Sequence, residues 1–273
     1  MIGVELRKML RSRRTWVTIA IIDLLPSLVA VLLAVTEVGP RPGTGPAFLS
    51  AVLSNGALYP LAAIAIILPL FLPAAVAITA GETIAGEAQQ GTLRYVLIRP
   101  VGRTRLLVAK LLSVMGFVLV TLLVVAATAY VLGVLLLGDQ QATTSAVTTT
   151  FSGTSLTTPQ LLQRTGLALA YALLSMLGVA AVALFLSTVV RSPMAAAMGT
   201  LALLIGSSLL LTLDAAHGLQ PYLVTRYWLA FVDLFRDPIR WHDVVHGVIL
   251  QAGYVVVFLG AAWANFVTKD ITD

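Results

Sequence analysis

Cysteine is absent from this chain of 273 residues, and charge is scarce: Asp, Glu, Lys and Arg make up 11% of it. The first absence excludes disulfides, thiol chemistry and Cys-ligated metal. The second excludes an ordinary soluble domain, which carries roughly 25% charged residues. Catalytic and nucleotide-binding signatures are missing as well. No G-x-x-x-x-G-K-[S/T] run occurs, so nothing here reads as a P-loop for ATP phosphates. Neither G-x-S-x-G nor H-E-x-x-H occurs. No internal repeat stands out, which argues against an inverted-repeat secondary transporter.

What is present is apolar: 59% of the residues are hydrophobic. About 20 apolar residues cross a bilayer as a helix. Six stretches qualify, at about 16–38, 59–80, 106–137, 161–190, 194–213 and 246–267. The first is too long for a signal h-region of roughly 7–15 residues and reads as a retained span. The expected fold class is therefore an all-α membrane protein with six transmembrane helices, as one domain over 1–273. An even count places both termini on one side.

Basic residues choose the side. With the N-terminus cytoplasmic, twelve of the 17 fall inside, among them Arg7, Lys8, Arg11, Arg13, Arg14, Arg94, Arg99 and Lys269. Five fall outside: Arg41, Arg164, Arg226, Arg236 and Arg240. Both termini are expected in the cytoplasm. The net charge of +5 then serves membrane orientation rather than nucleic acid.

Two segments are amphipathic. Ile2, Leu6, Met9 and Leu10 share one helical face, with Lys8, Arg11 and Arg14 largely opposite. That pattern suits a helix lying flat in the interface before the first span. In "RYWLAFVDLFRDPIRW", Trp228, Phe231, Val232, Phe235 and Ile239 recur at helical spacing. This segment is too charged to span, and is expected to dip toward lipid or pack on the bundle from the outer face.

The most charged stretch is "GETIAGEAQQGTLRYVLIRPVGRTRLLVAK", and 81–105 reads as the largest cytoplasmic loop. Gly91 breaks the chain and Thr92 can cap a new helix. Leu93, Val96 and Leu97 form one apolar face with Arg94 turned away. Pro100 ends that helix, because a residue before proline avoids the α region. Lys110 lies close enough to the interface to snorkel. The short helix either docks on a partner or only holds two spans apart.

Here the chain resembles a known family. Glu87, Gly91–Thr92–Leu93, Leu97, Pro100–Val101–Gly102–Arg103 and Lys110 look like the signature loop of ABC-type exporter permeases, type-two class. These have six helices per subunit and the type V exporter fold. The basic N-terminus resembles their elbow helix, and "FVTKDIT" resembles their aromatic-x-x-basic-Asp close.

The resemblance implies a separate ATP-binding subunit, which would hold ATP and magnesium, and a second permease, identical or a paralogue. The first cytoplasmic loop would rest in a groove of the ATPase. Leu93 and Leu97 would supply apolar contact, and Arg94 and Arg103 charge pairing. Glu87 would fix the loop through a backbone amide or a neighbouring arginine. The second and fifth spans would line the pathway, through Pro69, Pro73, Ser207 and Ser208, with Pro60, Pro69 and Pro73 kinking the second. The expected setting is a bacterial plasma membrane. The expected cargo is hydrophobic or amphiphilic, since the pathway helices carry few charges.

Of three rival classes, two rest on particular residues. Asp23, inside the first span, would serve a proton- or ion-coupled transporter, or else reach the headgroups or pair with Lys110. Ser207 or Ser208 with His246 would serve a membrane-embedded enzyme. A scaffold without transport needs no site at all. His242 and His246, four apart on one face, have metal-ligand spacing with Asp243 beside them and Asp233 and Asp237 nearby, but no third ligand is fixed.

If the loop transmits ATPase closure, Glu87→Ala and Arg103→Ala will each uncouple ATP hydrolysis from transport in reconstituted vesicles. Wild-type coupling in both would remove that role from the loop.

Overall fold

The computed structural model describes residues 2–36, 56–91, 102–137, 147–149 and 155–268. Helix α1 (Ile2–Arg11) is followed after Ser12 by α2 (Arg13–Thr36). A 3-10 turn (Gly56–Leu58) leads into α3 (Tyr59–Ile67), and α4 (Phe71–Gln89) follows at a bend of 55°. Helix α5 (Arg103–Leu132) ends in a wide π turn (Gly133–Leu137). A ribbon of two short antiparallel strands, β1 (Val147–Thr149) and β2 (Ser155–Thr157), precedes α6 (Thr158–Val189). Helix α7 (Pro193–Leu210), three 3-10 segments and α8 (Trp241–Thr268) complete the order.

Five helices are long and apolar enough to cross a membrane, and the bent pair α3–α4 makes a sixth crossing if taken as one span. This is the architecture the hydropathy pattern implied, with shifted edges. The second crossing differs most. Its helix runs on to Gln89, so 81–89 is helical stem where the sequence suggested loop. Pro69 sits in the break, and Pro73, which cannot donate to the carbonyl four residues back, lies in the first turn of α4. Pro60, by contrast, occupies the first turn of α3, where a missing N–H costs nothing, and makes no kink.

Helix α6 is the hub. Of its membrane-length stretch 61% is buried, against 17% for α8, and it packs against α4, α5, α7 and α8. Small residues let the helices close on one another. A Cβ on Gly81 of α4 would stand 3.1 Å from the Pro193 carbonyl and 3.2 Å from the Ala197 amide of α7. A Cβ on Gly133 would stand 2.2 Å from the Gly56 carbonyl. Helix α1 lies against α5, with Met9 buried and the Leu6 and Met9 side chains reaching over Gly116.

The amphipathic segment after α7 folds as a 3-10 helix (Trp228–Phe235) rather than an α-helix. Trp228, Phe231 and Phe235 are buried, and the segment packs on α6 and α8. Of the two expected placements, the structure takes packing on the bundle.

The α4–α7 contact yields a prediction. Gly81→Leu must displace backbone rather than a flexible side-chain end, and should destabilise the fold by about 1–3 kcal/mol. Gly166→Leu, with open space around it, should not. Thermal unfolding of the two purified variants in detergent distinguishes them, and equal midpoints would disprove the close approach.

Candidate functional site

Seven elements meet at one end of the bundle: α1, the starts of α2, α5 and α7, and the ends of α4, α6 and α8. Lys110 stands among them with 4% of its side chain exposed. An ammonium out of water is tolerable only when paired. Its Nζ donates to Glu87 Oε1 on α4, and lies 3.5 Å from Glu5 Oε1 on α1. One cation thus joins the elbow-like helix to both flanks of the 92–101 connection. Lys110 does not snorkel, because its carboxylate partners reach it inside the protein. Glu87 meets a lysine from α5, a partner not anticipated from sequence.

Other contacts brace the same end. Arg14 and Glu82 pair at 2.6 Å, joining α2 to α4. Arg103 Nη1 donates to the carbonyls of Phe266 (3.1 Å) and Val267 (2.8 Å) at the end of α8. A guanidinium there meets carbonyls that the helix itself leaves without partners, and the negative end of the helix dipole. Trp263 Nε1 donates to Thr104 Oγ1 at 3.0 Å. The Ser187 hydroxyl of α6 donates to the Gly81 carbonyl (2.8 Å) and accepts from the Ala85 amide (2.9 Å), lying across one turn of α4. Gly91, at φ 67°, ends the stem in the left-handed conformation that glycine adopts without penalty. The expected docking residues Thr92, Leu93, Arg94, Leu97 and Pro100 lie outside the described residues.

Between α1, α2, α4 and α5 this end holds an open-sided cavity of about 600 Å³, lined in part by Glu5, Lys8, Arg14, Glu82, Glu87 and Lys110. Its walls combine both signs of charge with Ala75, Ile78 and Phe117.

The remaining sequence candidates are dispersed. Pro69, Pro73 and Ser208 line one small cavity of about 300 Å³ between the broken span and α7. Ser207, one position and about 100° further round the helix, turns the other way and shares a hydrogen bond of 2.8 Å with Thr225 Oγ1. Asp23 does not pair with Lys110. It accepts a hydrogen bond of 2.6 Å from Thr128 Oγ1 on α5. His242 and His246 stack with ring centroids 4.3 Å apart. The His246 Nδ1 is engaged at 2.7 Å by the His242 carbonyl, and His242 faces Asp243 at 3.1 Å. Asp233 pairs with Arg236 at 2.7 Å instead of turning to the histidines. Among the described residues no group of three or more His, Cys, Asp and Glu could hold a metal ion.

Reading the sequence missed the contributions of Glu5, Glu82 and Ser187. One signal was available: a lysine within "RLLVAKLLSV" lies on the buried face of a helix and must find a carboxylate.

Lys110→Met removes the ammonium that Glu5 and Glu87 share. Loss of one partner from such a buried group should cost about 3–5 kcal/mol. Adding Glu87→Gln should recover a substantial part, because the excess charge is then removed. Unfolding followed by tryptophan fluorescence in detergent measures both, and a Lys110→Met chain as stable as the parent would refute the pairing. The same measurement should accompany Glu87→Ala, so that lost coupling is separated from lost structure.

Compared with known proteins, residues 1–209 match the sequence model described as ABC-2 family transporter protein. No curated protein matches the chain.

Proposed function

Since the chain belongs to the ABC-2 transporter family and is an integral membrane permease, we propose that it is the membrane subunit of an ATP-driven exporter. Its 92–101 connection docks a separate ATP-binding subunit, which holds the ATP and magnesium. The observation that carries this reading is the Glu5–Lys110–Glu87 cluster. It ties both stems of the connection and α1 into one unit. A push delivered to the connection is then shared by α1, α4 and α5, the kind of rigid-element motion by which packed helices transmit force. Arg103 and Ser187 extend that unit to α8 and α6.

Both termini face the cytoplasm in this reading, supported by the twelve basic residues that fall on that side. The contacts agree on shared sidedness: Glu5 near the N-terminus and Phe266 near the end of α8 meet the same end of α5. Two permease subunits pair, a second copy or a paralogue, and the pathway runs along the broken span and α7. Pro69, Pro73 and Ser208 lie together there, and Leu70, Ile205 and Leu209 are exposed beside them. An apolar lining of this kind suits a hydrophobic or amphiphilic cargo. Asp23, engaged by Thr128, acts as a tie between α2 and α5 rather than a proton carrier.

Affinity purification of the chain from its native membranes in mild detergent, with mass spectrometry of what accompanies it, tests the reading. A stoichiometric ATP-binding protein should be present, and lost from the Leu93→Asp, Leu97→Asp chain. A monodisperse parent chain that brings no ATPase would overturn the proposal.

A further inference from the structure

The cavity between α1, α2, α4 and α5 has a polar end and an apolar end. Along α4 it runs from Gln89 to Ala75, about 21 Å of helix at 1.5 Å per residue. Glu5, Lys8 and Ser12 line it at the charged end of the bundle, and Ala75, Ile78 and Phe117 line it further in. Trp16, 48% exposed, stands on α2 between the lining residues Arg14 and Thr18. An exposed tryptophan at the start of a span marks the membrane–water interface. The cavity therefore crosses the level of the lipid headgroups. Ile78 lies about 16 Å along α4 from Gln89, so its 43% exposure is on the flank of the bundle rather than on its end.

The charges around this cavity balance, but they do not all meet. Formally, Lys8, Arg14 and Lys110 offset Glu5, Glu82 and Glu87. Arg14 takes Glu82, and Lys110 donates to Glu87. The Glu5 Oε1 is left 3.5 Å from that ammonium, beyond the roughly 2.7–3.2 Å of a hydrogen bond. A Glu and a Lys three apart on a helix ordinarily face each other. Here Glu5 turns toward α5, and Lys8 pairs with no carboxylate among the described residues. The Ser12 and Thr15 hydroxyls beside them find no partner among those residues either.

A ligand for this lining carries both signs close together and no net charge. A net anion would meet three carboxylates, and a metal ion three cations. An ammonium and a phosphate joined by two carbons can satisfy Glu5 and Lys8 together, because residues three apart on a helix stand roughly 5–6 Å apart at Cβ. A small soluble zwitterion would leave the apolar end wet, whereas a lipid covers it with hydrocarbon.

We propose that this cavity binds phosphatidylethanolamine from the leaflet that borders it. The phosphate accepts from Lys8 and from the Ser12 and Thr15 hydroxyls, and the ammonium donates to the Glu5 carboxylate. The start of one acyl chain lies along Ala75, Ile78 and Phe117. The site is separate from the pathway proposed above, since it shares no lining residue with the cavity at Pro69 and Ser208. It requires only that the chain span a membrane, and is independent of cargo and ATPase.

The full chain is purified in detergent, stripped of lipid, and unfolded thermally with phosphatidylethanolamine, phosphatidylcholine or phosphatidylglycerol of the same acyl chains. Phosphatidylethanolamine at about a hundredfold excess over its dissociation constant should raise the midpoint by about 5 °C or more. Phosphatidylcholine has no N–H to give Glu5, and phosphatidylglycerol has no ammonium, so both should raise it less. Lys8→Gln and Glu5→Gln should each abolish the preference for phosphatidylethanolamine, measured from each variant's own lipid-free midpoint. Arg7→Gln removes an exposed cation of the same helix that does not line the cavity, and should keep the preference. Should Glu5→Gln fail to elute as the parent does, Lys8→Gln makes the comparison alone, at an exposed side chain. Equal rises with the three lipids, a larger rise with phosphatidylglycerol, or a preference that survives the substitutions would overturn the proposal. So would an equal rise from phosphoethanolamine in solution, which would assign the cavity to a soluble zwitterion.

Discussion

A buried ammonium between two carboxylates is the constraint on which one end of this molecule is organised. Outside water, Lys110 can stay charged only if Glu87 and Glu5 stay beside it. The three residues belong to three helices, so satisfying one charge fixes the relative positions of α1, α4 and α5. The 92–101 connection leaves from α4 and returns to α5, and its two ends are therefore held by electrostatics as well as by packing. The Arg103 contact with the last carbonyls of α8 and the Ser187 contact with α4 bring in α8 and α6.

Elsewhere the bundle is held by shape. Leu, Val and Ala have no aqueous penalty to escape between helices in lipid, so close packing and a few hydrogen bonds must supply the association. Gly81 and Gly133 give that closeness, because their neighbours approach to where a side chain would stand. Thr128 on Asp23 supplies a hydrogen bond in the same setting, and converts a lone carboxylate in a span into a link between α2 and α5.

Irregular backbone at membrane depth persists only where protein covers it or a cavity adjoins it. The break between α3 and α4 obeys that rule: Leu68 is buried, while Pro69 and Leu70 border a cavity against α7. The 3-10 helix at Trp228–Phe235 is covered in the same way, with its aromatic face turned into the bundle. Both departures from regular helix lie at prolines or beside tyrosine and tryptophan, which the sequence displays. The direction in which each turns depends on the helices around it.

Much was legible in the sequence. Hydropathy summed over 20 residues is a local property, so the spans, the amphipathic first helix and the scarcity of interior charge could be read directly, and the resemblance around Glu87–Lys110 led to the family. Gly91 was readable as a break because a left-handed residue after a helix calls for glycine. The partners of Lys110, the parting of Ser207 from Ser208, and the tie from Asp23 to Thr128 were not readable. A contact between helices depends on their rotation, tilt and register, and a turn of about 100° per residue sends adjacent side chains to different neighbours. The sequence alone therefore determined that this chain crosses a membrane and where, while the tertiary structure decided which charges meet and where a cavity stays open, since both arise only when separate helices are packed.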